Sequence, residues 1–456
     1  MLFILTEDQG AQLGYVGTKG VETPHMDALA RGGVYFSEAF VAYPVCSASK
    51  AAIYTGLHNH VNGLMGNTLN YFRPADKLTD AQKQHRLYQA NRVRDRYPTL
   101  IEILRDAGYH LAVTSKLHVL PNHKFPFHEY RRIGRGAGGA GRAVKGVVER
   151  ARQNGRPWFL MLNISWPHRP FRNSDKTAIG VDPQIADPPG FLPDTPVVRQ
   201  DWAEYLDAVE QADRQVGEGL AALRASGEEN RTIVVFMGDH GPGFHRGKMS
   251  LHDFGLRVPL AIKGPGIRKG VRSDALVSEL DLMPTLLDLL GLDAPALQHG
   301  LSLRPILEGK PGAKGHDHIF AEIAHGSPIT HDGMQERSVY DGRYHLIYRE
   351  GRGPRTVNAD LRDWAKWRNR SYAETVKHKA RFPEAFRMLR EIDPGRLGST
   401  PPRLELYDLG ADPGELRDLA GVPEHRQAQT RLLVALRRWA KETGDQAIHP
   451  QRFPIP

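Results

Sequence analysis

Residues able to do chemistry concentrate at a few places in this chain of 456 residues. The single cysteine, Cys46, opens the run Cys46-Ser47-Ala48-Ser49-Lys50-Ala51-Ala52-Ile53-Tyr54-Thr55-Gly56. A β-prone stretch at 33–43 leads into it and Pro44 ends that stretch. Small, helix-tolerant residues follow until Gly56 supplies a stop. The pattern predicts Cys46 at the N-terminus of a short helix, where free backbone N–H groups and the helix dipole favour an anion. Lys50, one turn on, shares that face. A sulfur nucleophile, free amides and a cation together describe an oxyanion site. Two other readings stay open: a lone cysteine is often a small buried hydrophobe, and a Cys–His hydrolase can assemble its pair across a fold. A cysteine-dependent phosphatase needs Arg six positions after the nucleophile, where this chain has Ala52.

The remaining candidates follow β-like runs. An apolar stretch at 2–5 is followed by Glu7-Asp8, and one at 109–115 by Lys116-Leu117-His118. A run at 158–164 leads to His168, and one at 232–237 to Asp239-His240, with Lys248 shortly after. Taken singly, these are an acidic turn, a glycine turn, a proline-flanked histidine and surface lysines. Their recurrence past four strands joins them, because ligands of open α/β sheets bind at the carboxyl ends of the strands. Three acids and a histidine (Glu7, Asp8, Asp239, His240) suit one divalent cation, and the hard oxygens favour Ca²⁺ over Zn²⁺. Lys50, Lys116, His118, His168 and Lys248 would neutralise an oxyanion beside it.

The elements that must position these residues read as a large α/β domain over 1–310 and a smaller one over 311–456. They are divided at a Lys/Gly/Pro-rich linker at 308–316. Helices are expected at 99–107 and 201–224, and neighbouring strands at 337–340 and 344–348 around Asp341-Gly342. The charged stretch at 76–95 has no clear pattern. The segment 360–392 reads as a charged helical insertion, and 173–193 as a surface loop that could wall a substrate. The glycine-rich 134–141 lacks the Lys-Ser/Thr of a phosphate loop and follows no apolar strand, so it reads as a flexible connection.

Composition narrows the partners. The formal charge is +9 and the pI about 9.5, which favours anionic partners. The basic residues are scattered without interleaved aromatics, so an anionic small molecule or glycan is expected rather than nucleic acid. No apolar run approaches membrane-spanning length, and one cysteine permits no internal disulfide. The compartment is open: periplasmic or secreted if a leader was removed, otherwise cytoplasmic.

Taken together, these motifs resemble the formylglycine-dependent sulfatases. The Cys46 run is similar to their Cys-x-Pro-Ser-Arg-x-x-x-x-Thr-Gly signature, with Ala48 for Pro and Lys50 for Arg. Thr6-Glu7-Asp8 and Thr23-Pro24-His25-Met26-Asp27-Ala28-Leu29-Ala30 resemble the opening of the family, Glu7 standing for an Asp. Ser115-Lys116-Leu117-His118 is similar to Gly-Lys-x-His, and Pro167-His168-Arg169-Pro170 to Pro-His-x-Pro. Gly238-Asp239-His240-Gly241 and Asp281-Leu282-Met283-Pro284-Thr285 also match family motifs.

The resemblance implies an alkaline-phosphatase-like fold: a mixed, mostly parallel sheet flanked by helices, with a smaller C-terminal α+β subdomain containing an antiparallel sheet. It also implies a formylglycine made from Cys46 by a formylglycine-generating or radical maturation enzyme, and one divalent cation at Glu7, Asp8, Cys46, Asp239 and His240. Lys50, Lys116, His118 and Lys248 would contact sulfate or the aldehyde hydrate, and His168 would bind the bridging oxygen or protonate the leaving group. The 55–64 loop, 116–127 and 193–196 look most like the heparan N-sulfatase (sulfamidase) branch, implying a sulfated saccharide substrate. The alternatives are a phosphodiesterase or phosphonate hydrolase of the same fold, and a non-catalytic sulfoglycan-binding relative.

Overall fold

A computed structural model describes residues 1–171, 180–325, 333–351, 370–392, 401–448 and 453. The part of the 173–193 loop before residue 180 lies outside the described residues, as does the 360–392 insertion before 370.

The strands of the N-terminal part are β1 (Leu2–Thr6), β2 (Val34–Phe36), β3 (Ala39–Phe40), β4 (His110–Thr114) and β5 (Glu129–Arg131). They continue with β6 (Trp158–Ile164), β7 (Val234–Gly238), β8 (Leu260–Lys263), β9 (Val271–Ser273) and β10 (Val277–Ser278). Toward the C-terminus come β11 (Ile319–Ala324), β12 (Gln335–Tyr340), β13 (Tyr344–Glu350) and β14 (Leu404–Asp408).

Eight strands form one sheet in the order β5-β4-β6-β1-β7-β8-β2-β9. The block from β5 to β7 is parallel, and β8 runs antiparallel to both its neighbours. The central strands are apolar runs because both faces are covered. Along β1 the side chains alternate between two cores: Phe3 and Leu5 point to one, Leu2 and Ile4 to the other. The first core is closed by helices Cys46–Thr55, Leu100–Asp106 and Leu282–Leu290. The second is closed by Pro24–Gly32, Gly139–Gln153 and Pro196–Ala225.

Register brings the strand ends together. Thr6 is level with Ile164 on one side and Gly238 on the other. Glu7, Ser165 and Asp239 therefore leave three adjacent strands at one height, and β4, next to β6, delivers Lys116 and His118 beside them.

The C-terminal sheet, β11-β12-β13-β14, is antiparallel throughout. Helix Arg426–Thr443 covers one face through Leu432, Leu433, Leu436 and Trp439. The other face, with Ile319, Ala321, Ile323 and Ile347, belongs to the same core as Phe3 and Ile53. No helix among the described residues is long and apolar enough to cross a membrane.

Three expectations need correction. The 33–43 run is two short strands in different sheets, since β3 pairs with β10 while β2 joins the large sheet. Ser37, between them, is bound through its N–H and its hydroxyl to Ser273 O. The long helix starts at Pro196 rather than 201, with Thr195 Oγ1 accepting from Val198 N–H at 3.3 Å as its cap. The last three of the eight residues of the glycine-rich connection are helical, from Gly139 on. A Cβ at Gly141 would meet Glu218 O at 3.2 Å, so the absent side chain permits the close approach of this helix to Pro196–Ala225.

Candidate active site

Cys46 is the first residue of its helix, Val45 is the N-cap, and Gly56 ends the helix in a left-handed conformation (φ 63°). Every residue of this helix is buried, which explains its small side chains. Beneath it, Glu279 accepts from Ser49 Oγ at 2.6 Å and from Ala42 N–H at 2.8 Å. Burial pushes the Glu279 carboxyl well above the usual range, so it is a neutral brace for the helix and for the segment entering it.

Around the helix N-terminus all ten sequence-predicted residues converge. Cys46 Sγ lies 3.2 Å from His240 Nε2, 3.3 Å from Lys248 Nζ and 3.7 Å from Asp8 Oδ1. Asp8 N–H donates to Asp239 Oδ1 at 2.7 Å, fixing the two acids against each other. One ligand atom from each of Asp8, Cys46, Asp239 and His240 falls within 4.8 Å of the others, and all four residues are buried. Two carboxylates, an imidazole and the position-46 side chain form a donor set that fits one divalent cation.

Glu7, expected among the ligands, is placed differently. Its Oε1 accepts from Lys50 Nζ at 2.7 Å and its Oε2 from Lys116 Nζ. Lys50 Nζ also donates to Asp239 Oδ2 at 2.9 Å. Both oxygens of Glu7 are thus committed to ammonium groups, and Glu7 stands outside the quartet.

The electrostatics follow from dense burial of opposite charges. Burial alone would push Glu7 up, but Lys116 and Lys50 hold it well below the usual carboxylate range. Asp8 is likewise held low, against burial, by His168, Lys248 and His240. Lys248 Nζ sits 2.9 Å and 3.1 Å from the oxygens of Asp8. Lys50, Lys116 and Lys248 are raised by the surrounding anionic groups despite burial. Burial works against a charged His240, yet Asp239, Cys46 and Asp8 raise it to about 9.

Two further histidines have fixed tautomers. His118 Nε2–H donates to Thr68 O at 2.9 Å, which leaves Nδ1 as a buried lone pair without a partner. Burial, then Lys116 and Lys50, push His118 well below its ordinary value, so it is neutral. His168 Nδ1–H donates to Arg169 O at 2.5 Å, turning Nε2 toward Asp8 Oδ2 at 3.9 Å. Burial lowers His168 to about 4.

The loops bend sharply to deliver these groups: Asp8 (φ 58°), Ser115 (φ 54°) and His118 (φ 51°) adopt left-handed backbone, which costs about 1–2 kcal/mol for a residue bearing a Cβ. At position 115 the hydroxyl offsets that cost, donating to Ile133 O at 2.8 Å and accepting from Ile133 N–H at 3.2 Å. The sequence reading did not single out Glu279, Thr68 or Asn70, whose Oδ1 accepts from His118 N–H at 3.1 Å. No spacing rule marks them, because they act on backbone and on side chains far along the chain.

With this geometry in view, the comparisons with known proteins place the chain. The sulfatase family model matches residues 1–292, and that described as N-sulphoglucosamine sulphohydrolase, C-terminal, matches 238–378. The chain belongs to the sulfatase family and is a sulfuric ester hydrolase with the alkaline-phosphatase-like fold. Among its relatives is the N-sulphoglucosamine sulphohydrolase of Homo sapiens, 29% identical over 97% of this chain and 90% of that protein. A structure in complex with its substrate D-glucosamine-2-N,6-O-disulfate superposes with TM-score 0.65 at 18% identity, covering 98% of each chain. The phosphonate monoester hydrolase of Agrobacterium radiobacter superposes with TM-score 0.69 at 18% identity, covering 98% of this chain and 96% of that one.

Proposed function

We propose that this sulfatase hydrolyses a sulfate ester or sulfamate on a sulfated saccharide, through a formylglycine made from Cys46 by a maturation enzyme. The observation that carries the reading is position 46 itself: a buried helix N-terminus that completes a quartet of donors suited to a cation and lies against the Lys248 ammonium. The sulfamate reading rests on the similarity to the human N-sulphoglucosamine sulphohydrolase, which spans nearly the whole of both chains. The formal net charge of +9 agrees with a polyanionic substrate.

Asp8, Asp239, His240 and position 46 would hold the divalent cation, for which Ca²⁺ suits the carboxylates. When bound, it supplies Lewis acidity to the sulfate and to the nucleophilic oxygen of the hydrated aldehyde. Lys116 and Lys248 hold sulfate oxygens in a dry, cationic pocket, where such contacts are strong. Glu7 keeps Lys50 and Lys116 charged and in place. His168 Nε2 faces the leaving group, and an anion bound beside it favours the imidazolium that donates the proton. His118 Nδ1, a bare acceptor, takes the proton of a hydroxyl when sulfate is expelled.

The test is the mass of the Cys46 peptide from protein made in its native host, followed by assay on N- and O-sulfated glucosamine and on a phosphonate monoester. Conversion of the thiol to an aldehyde with sulfate release is the expected result. An unmodified thiol in active protein would overturn the mechanism, and turnover of the phosphonate alone would overturn the substrate class.

A further inference from the structure

The glycine-rich segment, left without a role by the chemistry above, carries Arg135 between Gly134 and Gly136. Gln215 Nε2 donates to Gly134 O at 2.9 Å and to Gly136 O at 3.2 Å, while Gly138 N–H donates to Glu218 Oε1 at 2.6 Å. Three bonds thus pin this short arch to the long helix Pro196–Ala225. From it the guanidinium of Arg135 reaches the loop after β6. Its Nη1 donates to Pro170 O at 2.6 Å, and its Nη2 to His168 O at 2.6 Å and Ser165 O at 3.4 Å. The same group lies 4.1 Å above the Trp166 ring, and Trp166 Nε1–H returns a bond to Arg135 O at 3.1 Å.

We propose that Arg135 is a positioning residue for leaving-group protonation, acting through His168. The inference rests on the sulfatase reading of His168 given above. A rigid fork satisfies three carbonyls of one loop and stacks on its indole, which a single-point cation such as Lys cannot reproduce. From the far side the same loop is held by Arg169, which makes two bonds of 2.8 Å to Asp201 and lies 4.0 Å from the Phe171 ring centroid. Because Arg169 O accepts from His168 Nδ1–H, a shift of the loop carries the imidazole with it, and turning the ring in place breaks this bond. The Arg135 fork keeps Nε2 aimed into the site.

The test compares Arg135→Gln and Arg135→Lys with wild type and His168→Asn on two substrates, an activated aryl sulfate and a sulfated saccharide. Misplacing a catalytic group by about 1 Å costs on the order of 100-fold. The expected result is therefore a kcat loss of roughly 10- to 100-fold on the saccharide, which needs the proton, and less than about threefold on the aryl sulfate, which does not. Arg135→Gln and His168→Asn combined should lose no more than His168→Asn alone. Equal losses on both substrates would overturn the proposal and make Arg135 a sulfate ligand or a stability element. A second readout needs no turnover: nitrogen NMR of labelled histidines, with His168 assigned by its variant. Loss of the Nδ1–H signature of His168 in Arg135→Gln is expected, and an unchanged signal in both Arg135 variants would overturn the proposal. Wild type inactive on every sulfate, with the signal lost as expected, would instead count against the sulfatase reading alone.

Discussion

Lys50→Met removes a cation from a buried ion cluster. The Lys50 ammonium is 2.7 Å from Glu7 Oε1 and 2.9 Å from Asp239 Oδ2, with 1% of its side chain exposed. Deleting one partner of a buried ion pair costs about 3–5 kcal/mol, because the remaining charge stays desolvated. Lys116 still neutralises Glu7, while Asp239 loses the ammonium at 2.9 Å and retains the Asp8 N–H, His240 Nε2 at 3.6 Å and the charges of Lys116 and Lys248 farther off. The loss should therefore fall near the lower end, about 3 kcal/mol. An unfolding entropy of about 2.1 cal/mol/K per residue gives roughly 1 kcal/mol/K for this chain. The variant should accordingly melt about 3 °C lower in calorimetry, with a matching drop in urea midpoint. Lys50→Arg keeps the charge but adds bulk to a helix without exposed surface, and should cost about 1–3 kcal/mol from overpacking. Glu7→Gln in the Lys50→Met background should cost much less than in wild type. Strict additivity of the two substitutions, or a Lys50→Met loss below about 1 kcal/mol, would refute the idea that Lys50 neutralises these carboxylates.

Three further outcomes are expected. Saturating Ca²⁺ at about 100 times its dissociation constant should stabilise the protein by about 2.7 kcal/mol. Asp8→Asn and Asp239→Asn should abolish that calorimetric shift, while Glu7→Gln should retain part of it, since Glu7 stands outside the quartet. Glu279 is held protonated in the fold, so between its ordinary value of 4.5 and its higher folded value the native state binds the extra proton. Stability should fall as pH rises through that window. Glu279→Gln should flatten this dependence in urea titrations, and Glu279→Ala should cost about 1–3 kcal/mol for each buried group left unpaired. Glu322 runs the other way: His60 and Arg337 overcome burial and lower it to about 2. Its contribution is present above 4.5 and is lost as pH falls toward 2, so Glu322→Gln should lessen acid sensitivity between those values in circular-dichroism melts.

Much of the site was legible because its residues follow strands whose apolar composition is itself the signal. The run at 158–164 and the turn at Gly238-Asp239-His240 both had the periodicity and the polar ending of a parallel strand meeting a ligand edge. Cys46 at a helix start followed from Pro44 before it and Gly56 after it. What was not legible is the use made of each charge. Glu7 is an acid beside an acid in the sequence, but in space two lysines from distant segments reach it first. Arg135 looked like part of a mobile linker, because its partners are carbonyl oxygens, which every residue carries. The split of the 33–43 run into two sheets likewise depends on partners at 257–278 that local β-propensity does not report.

The C-terminal sheet touches the segment that enters the Cys46 helix. Glu322 N–H donates to Ala42 O at 2.9 Å, Ala324 N–H to Tyr43 Oη at 2.9 Å, and the Tyr43 hydroxyl to Ala324 O at 3.3 Å. The C-terminal sheet is therefore part of the frame that holds the Cys46 helix. During synthesis the ten site residues, all at position 248 or earlier, exist well before the strand that steadies them. A chain cut short after residue 310 would carry all ten candidate site residues without the strand that braces the segment entering the Cys46 helix.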